Sequence, residues 1–307
     1  MIEKGGIFLR AARARAVRLA VSALILLVML MPGCGGRAGS HAHVIVAGST
    51  SVQPYAEILA EEYARMHPGS EVDVQGGGSS AGIAAAESDT ADIGMSSRKL
   101  KEGEAYLWSV EIAKDGLAVI VHPDNPVSGL TLEQVRDIYS GEITDWAELD
   151  ESNTEPIDTK KSKTKINLIA REAGSGTRSA FLELVMGDEK ITPKAIIQSS
   201  NGAIKLLVSG DKNAIGFISL GLVDESVKAL MLNGVEATTE NVINGGYSLF
   251  RPFLYVCNGE PTGAVREFID FTLSAEGQRI LAHEGLIPAD TTGALSEDSN
   301  QEAEVAG

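Results

Sequence analysis

The residues best suited to chemistry in this chain are hydroxyls, glycines and an arginine in the run Arg171-Glu172-Ala173-Gly174-Ser175-Gly176-Thr177-Arg178. The apolar run Ile166-Asn167-Leu168-Ile169-Ala170 before it reads as a buried strand, and Phe181, Leu184 and Val185 after it recur at helical spacing. A strand feeding a Gly/Ser/Thr turn that opens a helix leaves unpaired backbone N–H groups directed at one spot. The helix dipole makes that spot attractive to an anion. Ser175 and Thr177 add hydroxyl donors and Arg171 a planar, two-pronged cation, a set suited to a tetrahedral oxyanion. The same residues also fit an ordinary N-capped helix, so recurrence elsewhere in the chain decides between the two readings.

Three further segments repeat the pattern. Val44-Ile45-Val46 reads as a strand and runs into Ala47-Gly48-Ser49-Thr50-Ser51, then into a helix with Pro54 in its first turn. Tyr55, Leu59, Tyr63 and Met66 mark the apolar face of that helix, and His67-Pro68-Gly69 stops it. Glu71-Val72-Asp73-Val74 alternates as a strand and leads to Gln75-Gly76-Gly77-Gly78-Ser79-Ser80-Ala81-Gly82 and another helix. A third strand, Ala91-Asp92-Ile93-Gly94-Met95, ends in Ser96-Ser97-Arg98. In an α/β sheet, ligands bind beyond the carboxyl ends of strands. Four donor-rich strand ends converge only if the fold brings two sheets face to face; separate structural capping at each is the alternative.

The rest of the chain reads as the frame that does this. Residues 111–121 form a long strand leading to the Pro-rich turn His122-Pro123-Asp124-Asn125-Pro126, a candidate crossing between domains in which His122 packs a hinge. Thr131-Leu132-Glu133-Gln134 has the form of a capping box, and its helix turns Leu132, Val135, Ile138 and Tyr139 inward before Gly141. Residues 150–165 are polar and irregular, a surface loop. Ser199-Ser200-Asn201-Gly202 caps a helix to Val208; a strand follows over Ala214-Ile215-Gly216-Phe217-Ile218, and residues 227–232 read as one more. Residues 248–258 look like a strand broken by Pro252 and serve as the return crossing, after which helices over 263–273 and 275–284 complete the first domain.

The length of 307 residues suggests two domains. A formal net charge of −16 argues against nucleic acid, whose phosphates require a basic face. It leaves a small anion open, because a pocket's field is set by nearby dipoles and charges rather than by the total. Lys4, Arg10, Arg13, Arg15 and Arg18 precede an almost wholly apolar run over 19–31, followed by Pro32-Gly33-Cys34. The run is short for a membrane span and carries the pattern of an export signal, with an uncleaved anchor helix as the alternative. Residues 35–43 form a short spacer; His41 and His43 are taken as solvated rather than metal-binding. If Cys34 is modified, Cys257 stands alone, no disulfide is expected, and its place in Phe253-Leu254-Tyr255-Val256-Cys257 makes it a packing residue. Residues after 290 are acidic without apolar periodicity, the composition of a disordered tail.

Taken in order, Gly48-Ser49-Thr50-Ser51-Val52-Gln53-Pro54, the 75–82 segment, Asp92-Ile93-Gly94-Met95-Ser96-Ser97-Arg98 and Arg171-Glu172-Ala173-Gly174-Ser175-Gly176-Thr177 resemble the phosphate-binding proteins of bacterial phosphate ABC transporters. Asp124-Asn125-Pro126-Val127, Ser200-Asn201-Gly202-Ala203 and Gly259-Glu260-Pro261-Thr262-Gly263 match as well, so the similarity spans residues 44–288. The end of the leader resembles a lipoprotein signal with Cys34 as the lipidated residue, Met31 standing where Leu is usual.

The resemblance implies an α/β periplasmic-binding-protein type II fold, two lobes with a ligand cleft and two crossover strands. Lobe 1 is expected over 44–121 plus 251–290, lobe 2 over 122–250, after a signal peptide over 1–33 and a tether over 34–43, with the tail over 291–307. Phosphate would be held by Ser49, Thr50, Ser51, Gly78, Ser79 and Ser97 from one side and by Arg171, Ser175, Gly176 and Thr177 from the other. Where many larger members carry Asp, this chain has Ser97, as the shorter lipoprotein-like members do, so rejection of sulfate does not follow from a carboxylate here. The implied protein is a monomer, lipid-anchored outside the cytoplasm, needing no metal or cofactor and delivering its ion to a permease powered by a separate ATPase.

Rival readings carry less. Gly78-Ser79-Ser80-Ala81-Gly82 fits the nucleophile-elbow pattern of a serine hydrolase, but its base would have to be His283, beside Glu284 in a helical stretch. Gly76, Gly78 and Ala81 only loosely mimic a dinucleotide turn. No Walker A sequence occurs, so the chain does not itself hydrolyse ATP. A phosphate sensor or surface protein on the same fold, or a binder of another tetrahedral oxyanion, is the remaining alternative.

Overall fold

The computed structural model describes residues 43–149 and 165–289. The leader, Cys34, the tether up to residue 42 with His41, most of the polar 150–165 loop and the acidic tail lie outside the described residues, while His43, expected at the end of the tether, instead opens the first strand.

Two sets of parallel strands flank a central antiparallel pair. β1 (His43–Gly48) pairs in parallel with β2 (Glu71–Gly76) and β3 (Ile93–Ser96), so all three carboxyl ends reach one edge. β6 (Asn167–Arg171), β7 (Ile196–Gln198) and β8 (Ala214–Ser219) form a second parallel triplet. Two antiparallel strands join the triplets: β11 (Phe250–Cys257) pairs with β3 and with β4 (Trp108–Val121), and β4 pairs with β8. The strand order is therefore β2-β1-β3-β11-β4-β8-β6-β7.

β4 is long because it serves two cores. Its first half, with Ile112 and Ala113, packs in a core built from Val44, Leu59, Tyr63, Phe253, Tyr255 and Phe268. Its second half, with Leu117, Val119 and Val121, packs in another core with Tyr139, Phe181, Ile215, Phe217 and Tyr247. Helices α1 (Gln53–Met66) and α2 (Ser79–Glu87) follow β1 and β2, and α7 (Gly263–Leu273) and α8 (Ala275–His283) lie near the carboxyl end of the described chain. Pro54 sits in the first turn of α1, where a missing N–H costs no intrahelical bond.

In the second half, α3 (Leu132–Ser140) carries the capping box read from sequence: Thr131 Oγ1 accepts from Gln134 N, and Gln134 Oε1 accepts from Thr131 N. Val135, Ile138 and Tyr139 are buried, while Leu132 is only partly so. α4 (Gly176–Phe181) continues as a single π turn over Leu182–Met186. Phe181 stacks on Phe217 at 4.1 Å between ring centroids and meets Tyr139 at 4.6 Å, which fixes α4 against β8 and α3. α5 (Asn201–Ser209) is capped by Ser200, and a short α6 (Thr239–Ile243) precedes β11.

Two expectations are corrected. Residues 227–232 are not one strand: β9 (Lys228–Ala229) pairs with β4, whereas β10 (Met231–Leu232) leaves for a separate ribbon with β5 (Gly129–Leu130). Pro252 does not break its strand. It pairs with Lys114 at a point where the β3 ladder, which covers only Leu254 to Val256, no longer flanks β11. With one side of the strand open there, a residue without an N–H is tolerated, and the irregularity falls one step later, between Phe253 and Leu254. A short β12 (Ile287–Pro288) also pairs with β4.

Candidate functional site

The two parallel triplets aim their carboxyl ends at each other, and the predicted hydroxyls meet between them. From the first triplet, Ser49 Oγ donates to Ser97 Oγ at 2.9 Å, Ser97 N donates to Ser79 Oγ at 3.0 Å, and the Ser79 and Ser97 hydroxyls are 3.3 Å apart. Ser51 N donates back to Ser49 Oγ at 3.2 Å, which shapes the first loop. From the second triplet, Thr177 Oγ1 lies 2.9 Å from Ser51 Oγ. Asn201 Nδ2 donates to Ser51 Oγ at 2.9 Å and reaches Thr50 Oγ1 at 3.4 Å. Ser49, Ser51, Ser79, Ser97, Ser175 and Thr177 are all buried.

Burying so many hydroxyls is costly unless each is paired, and they pair largely with one another. Ser175 is partly a structural cap, since its Oγ accepts from Arg178 N, but its own proton remains to be given. Gly176 and Thr177 occupy the first turn of α4, where N–H groups have no carbonyl inside the helix. Gly78 contributes conformation: at φ +89° it caps α2, and its N–H goes to Gly48 O at 2.8 Å. Gly174 O accepts from Ser80 N at 3.1 Å, a backbone clasp between the Arg171 loop and the start of α2.

Arg171 is 1% exposed. Glu172 holds it through paired bonds of 2.9 Å from Nε and Nη2, and Nη2 also reaches Ser199 O at 3.3 Å. Its Nη1 is buried without a hydrogen-bond partner among the described residues. A buried guanidinium arm left unpaired is expensive, and an anion placed against it would remove that cost.

Sequence reasoning missed a polar ring around this cluster. Arg251, from β11, donates through Nη2 to Ser51 Oγ at 3.1 Å and to Asp115 Oδ2 at 3.0 Å, with Nε at 3.3 Å from the same oxygen. Ser219 Oγ donates to Asp115 Oδ1 at 2.8 Å, and Ser219 N donates to Asn201 Oδ1 at 3.4 Å. Burial raises the Asp115 carboxyl above the usual carboxylate range against the opposing pull of Arg251 and Ser219, and burial likewise lowers Arg251 against the pull of Asp115. Arg171 is close enough to lower Arg251 further by repulsion. The available signal was an ionisable residue inside each apolar strand, Asp115 before Gly116-Leu117-Ala118-Val119 and Arg251 before Pro252-Phe253-Leu254.

The hydrolase pattern does not assemble. Ser80 Oγ receives Arg98 Nη2 at 3.4 Å, while His283 is exposed on α8 and bonds Glu284 at 3.2 Å. Among the described residues no group of His, Cys, Asp and Glu has metal-site spacing, and no helix is long and apolar enough to cross a membrane.

Two parallel-sheet halves joined by antiparallel crossing strands, with buried donors gathered at the facing carboxyl ends, define a binding protein of the periplasmic type II fold. Sequence comparison agrees: the profile of the PBP superfamily domain matches residues 35–276. A phosphate ABC transporter substrate-binding protein from Clostridium perfringens, solved with bound phosphate, is 46% identical, covering 81% of this chain and 100% of that one at a TM-score of 0.75. An ABC-type phosphate transport receptor from Vibrio cholerae is 38% identical over 80% of this chain and 100% of that one, at a TM-score of 0.65. The phosphate-binding protein PstS of Bacillus subtilis is 29% identical over 261 residues, 83% of each chain. The chain belongs to the PBP superfamily and, within it, to the PstS-type substrate-binding proteins.

Proposed function

We propose that this protein captures inorganic phosphate outside the cytoplasm and delivers it to the permease of an ABC transporter. The observation that carries the reading is the convergence of Ser51, Ser79 and Ser97 on Gly176 and Thr177, beside a buried Arg171 whose Nη1 has no partner among the described residues. Ser49, Thr50, Ser175 and the start of α4 complete the donor shell. Micromolar binding requires about 8 kcal/mol, and several charge-assisted hydrogen bonds of about 1.5–3 kcal/mol each can meet that after ordering costs. Hydroxyls, backbone N–H groups and guanidinium supply the whole shell, with no chemistry performed on the ion.

The two hydrophobic cores support lobes over 44–121 plus 251–290 and over 122–250, hinged where β4 and the start of β11 pass between them. Closure of such lobes dehydrates the ion and completes its ligand set. Anchoring through a lipid on Cys34 would keep the receptor near its permease, working as a monomer. Calorimetry with phosphate, arsenate and sulfate on the full chain tests the reading. Saturable phosphate and arsenate binding is expected, and absence of phosphate binding overturns it. Radiolabelled palmitate incorporation lost in Cys34→Ala tests the anchor.

A further inference from the structure

The hydrogen bonds around Ser51 close into a ring: Asp115 accepts from Ser219 and Arg251, Ser219 donates to Asn201, and both Asn201 and Arg251 donate to Ser51 Oγ. A serine oxygen has two acceptor sites, and these two donors fill them. The Ser51 proton is therefore directed to Thr177 Oγ1, 2.9 Å away, which leaves Thr177 to donate its own proton elsewhere. Every other member of the ring is committed, with one exception. Arg251 Nη1 is buried without a partner among the described residues, although Arg251 is 3% exposed and its partner Asp115 only 1%.

The ring and the Thr177 hydroxyl it meets thus present two unused donors, the Thr177 proton and one arm of Arg251. Thr177 is already part of the expected site. We infer that Arg251 is a second guanidinium of the anion site, opposite in provenance to Arg171, and that Asp115 sets the site's net charge by neutralising it; this rests on the phosphate reading above. Three observations fix the assignment. The Arg251 guanidinium is immobilised, stacked 5.6 Å over the Phe253 ring and gripped by Asp115. It binds the same Ser51 that meets Thr177, so it belongs to the cluster. It also lines a cavity of about 340 Å³ together with the cations Arg98, Lys99 and Lys114 and the carboxylates Glu111 and Glu183, so the wall around Arg251 carries more positive than negative side chains.

Each guanidinium has one carboxylate, Arg171 with Glu172 and Arg251 with Asp115, so the charges nearly cancel before the ion arrives. The two variants of the second pair therefore act in opposite directions. Arg251→Gln removes a charge-assisted donor, whereas Asp115→Asn removes the opposing negative charge and keeps the cation. Because Arg251→Gln alone strands a buried carboxylate, the double variant R251Q/D115N is the main probe.

Calorimetry with inorganic phosphate, alongside thermal unfolding, decides the matter. R251Q/D115N is expected to unfold cooperatively and bind phosphate about 10- to 100-fold more weakly than the parent. D115N alone is expected to bind phosphate more tightly than the parent. Parent-like affinity in the double variant overturns the role of Arg251 while leaving the phosphate reading intact. An equal loss in D115N and the double variant also overturns it, since the pair would then be scaffold. Failure of the parent to bind phosphate removes both.

Discussion

A methyl group on Gly176 would sit 2.2 Å from Ser79 Oγ and 2.5 Å from Ser97 Oγ. These residues come from opposite triplets of the sheet, so the glycine is what allows the start of α4 to close on the loops after β2 and β3. Rotating the two hydroxyls away would break the bonds among Ser49, Ser79 and Ser97 and would still leave the methyl 3.0 Å from Ser79 Cβ. Gly176→Ala is expected to abolish measurable phosphate binding while shifting the unfolding temperature only slightly, because each hydrophobic core lies elsewhere. A variant that binds like the parent would show that this contact does not accompany the bound state.

Arg171 and Arg266 separate a buried cation from a surface one. Arg266 pairs with Asp270 at 2.7 Å and Glu260 at 3.8 Å, all substantially exposed, and surface pairs of this kind contribute little. Arg171→Ala removes a buried charge and its unpaired arm, so phosphate affinity is expected to fall about 100-fold or more, the scale of charge-assisted bonds at about 1.5–3 kcal/mol each. Arg266→Ala is expected to leave calorimetric affinity unchanged. Equal effects would remove Arg171 from the site.

What the sequence made legible was whatever local pattern controls. The Thr131 box, Pro54 in the first turn of α1 and the Ser200 cap act within one turn of chain. The donor-rich loops were legible because glycine and hydroxyl residues at strand ends have a local meaning. Asp115 and Arg251 did not declare themselves, being 136 residues apart and partnered only by the antiparallel pairing of β4 with β11. The split of residues 227–232 was hidden for the same reason. Which strand an apolar pair joins is settled by neighbours distant in sequence, here β4 for Ala229 and β5 for Met231.

Cys257 gives a readout of the closed core. It is buried at the end of β11, and burial, with Asp92 adding repulsion, pushes its thiol up to about 12. The reactive form is the thiolate, whose population in the native state is therefore negligible at pH 8 and grows only as pH approaches that value. Iodoacetamide at pH 8 is expected to leave Cys257 unmodified in the native protein and to label it rapidly in denaturant, with the site located by peptide mass. Fast native labelling would mean that β11 is exposed in solution.

Selectivity turns on Ser97. Its hydroxyl accepts from Ser49 at 2.9 Å and lies 3.3 Å from Ser79, fully buried, so whatever stands at this position faces the candidate ion's donor shell. A serine can give or take a hydrogen bond and does not repel a fully ionised guest. A carboxylate in its place would accept the proton that phosphate still carries, but would face sulfate with like charge, a penalty of about 4 kcal/mol at close range for an effective dielectric near 20. Ser97→Asp is therefore expected to weaken sulfate binding at least about 100-fold and phosphate binding far less, raising the ratio between them about tenfold or more. Competition calorimetry at neutral pH measures that ratio directly. If both ions weaken by the same factor, the substitution has damaged the shell, and Ser97 does not discriminate between them.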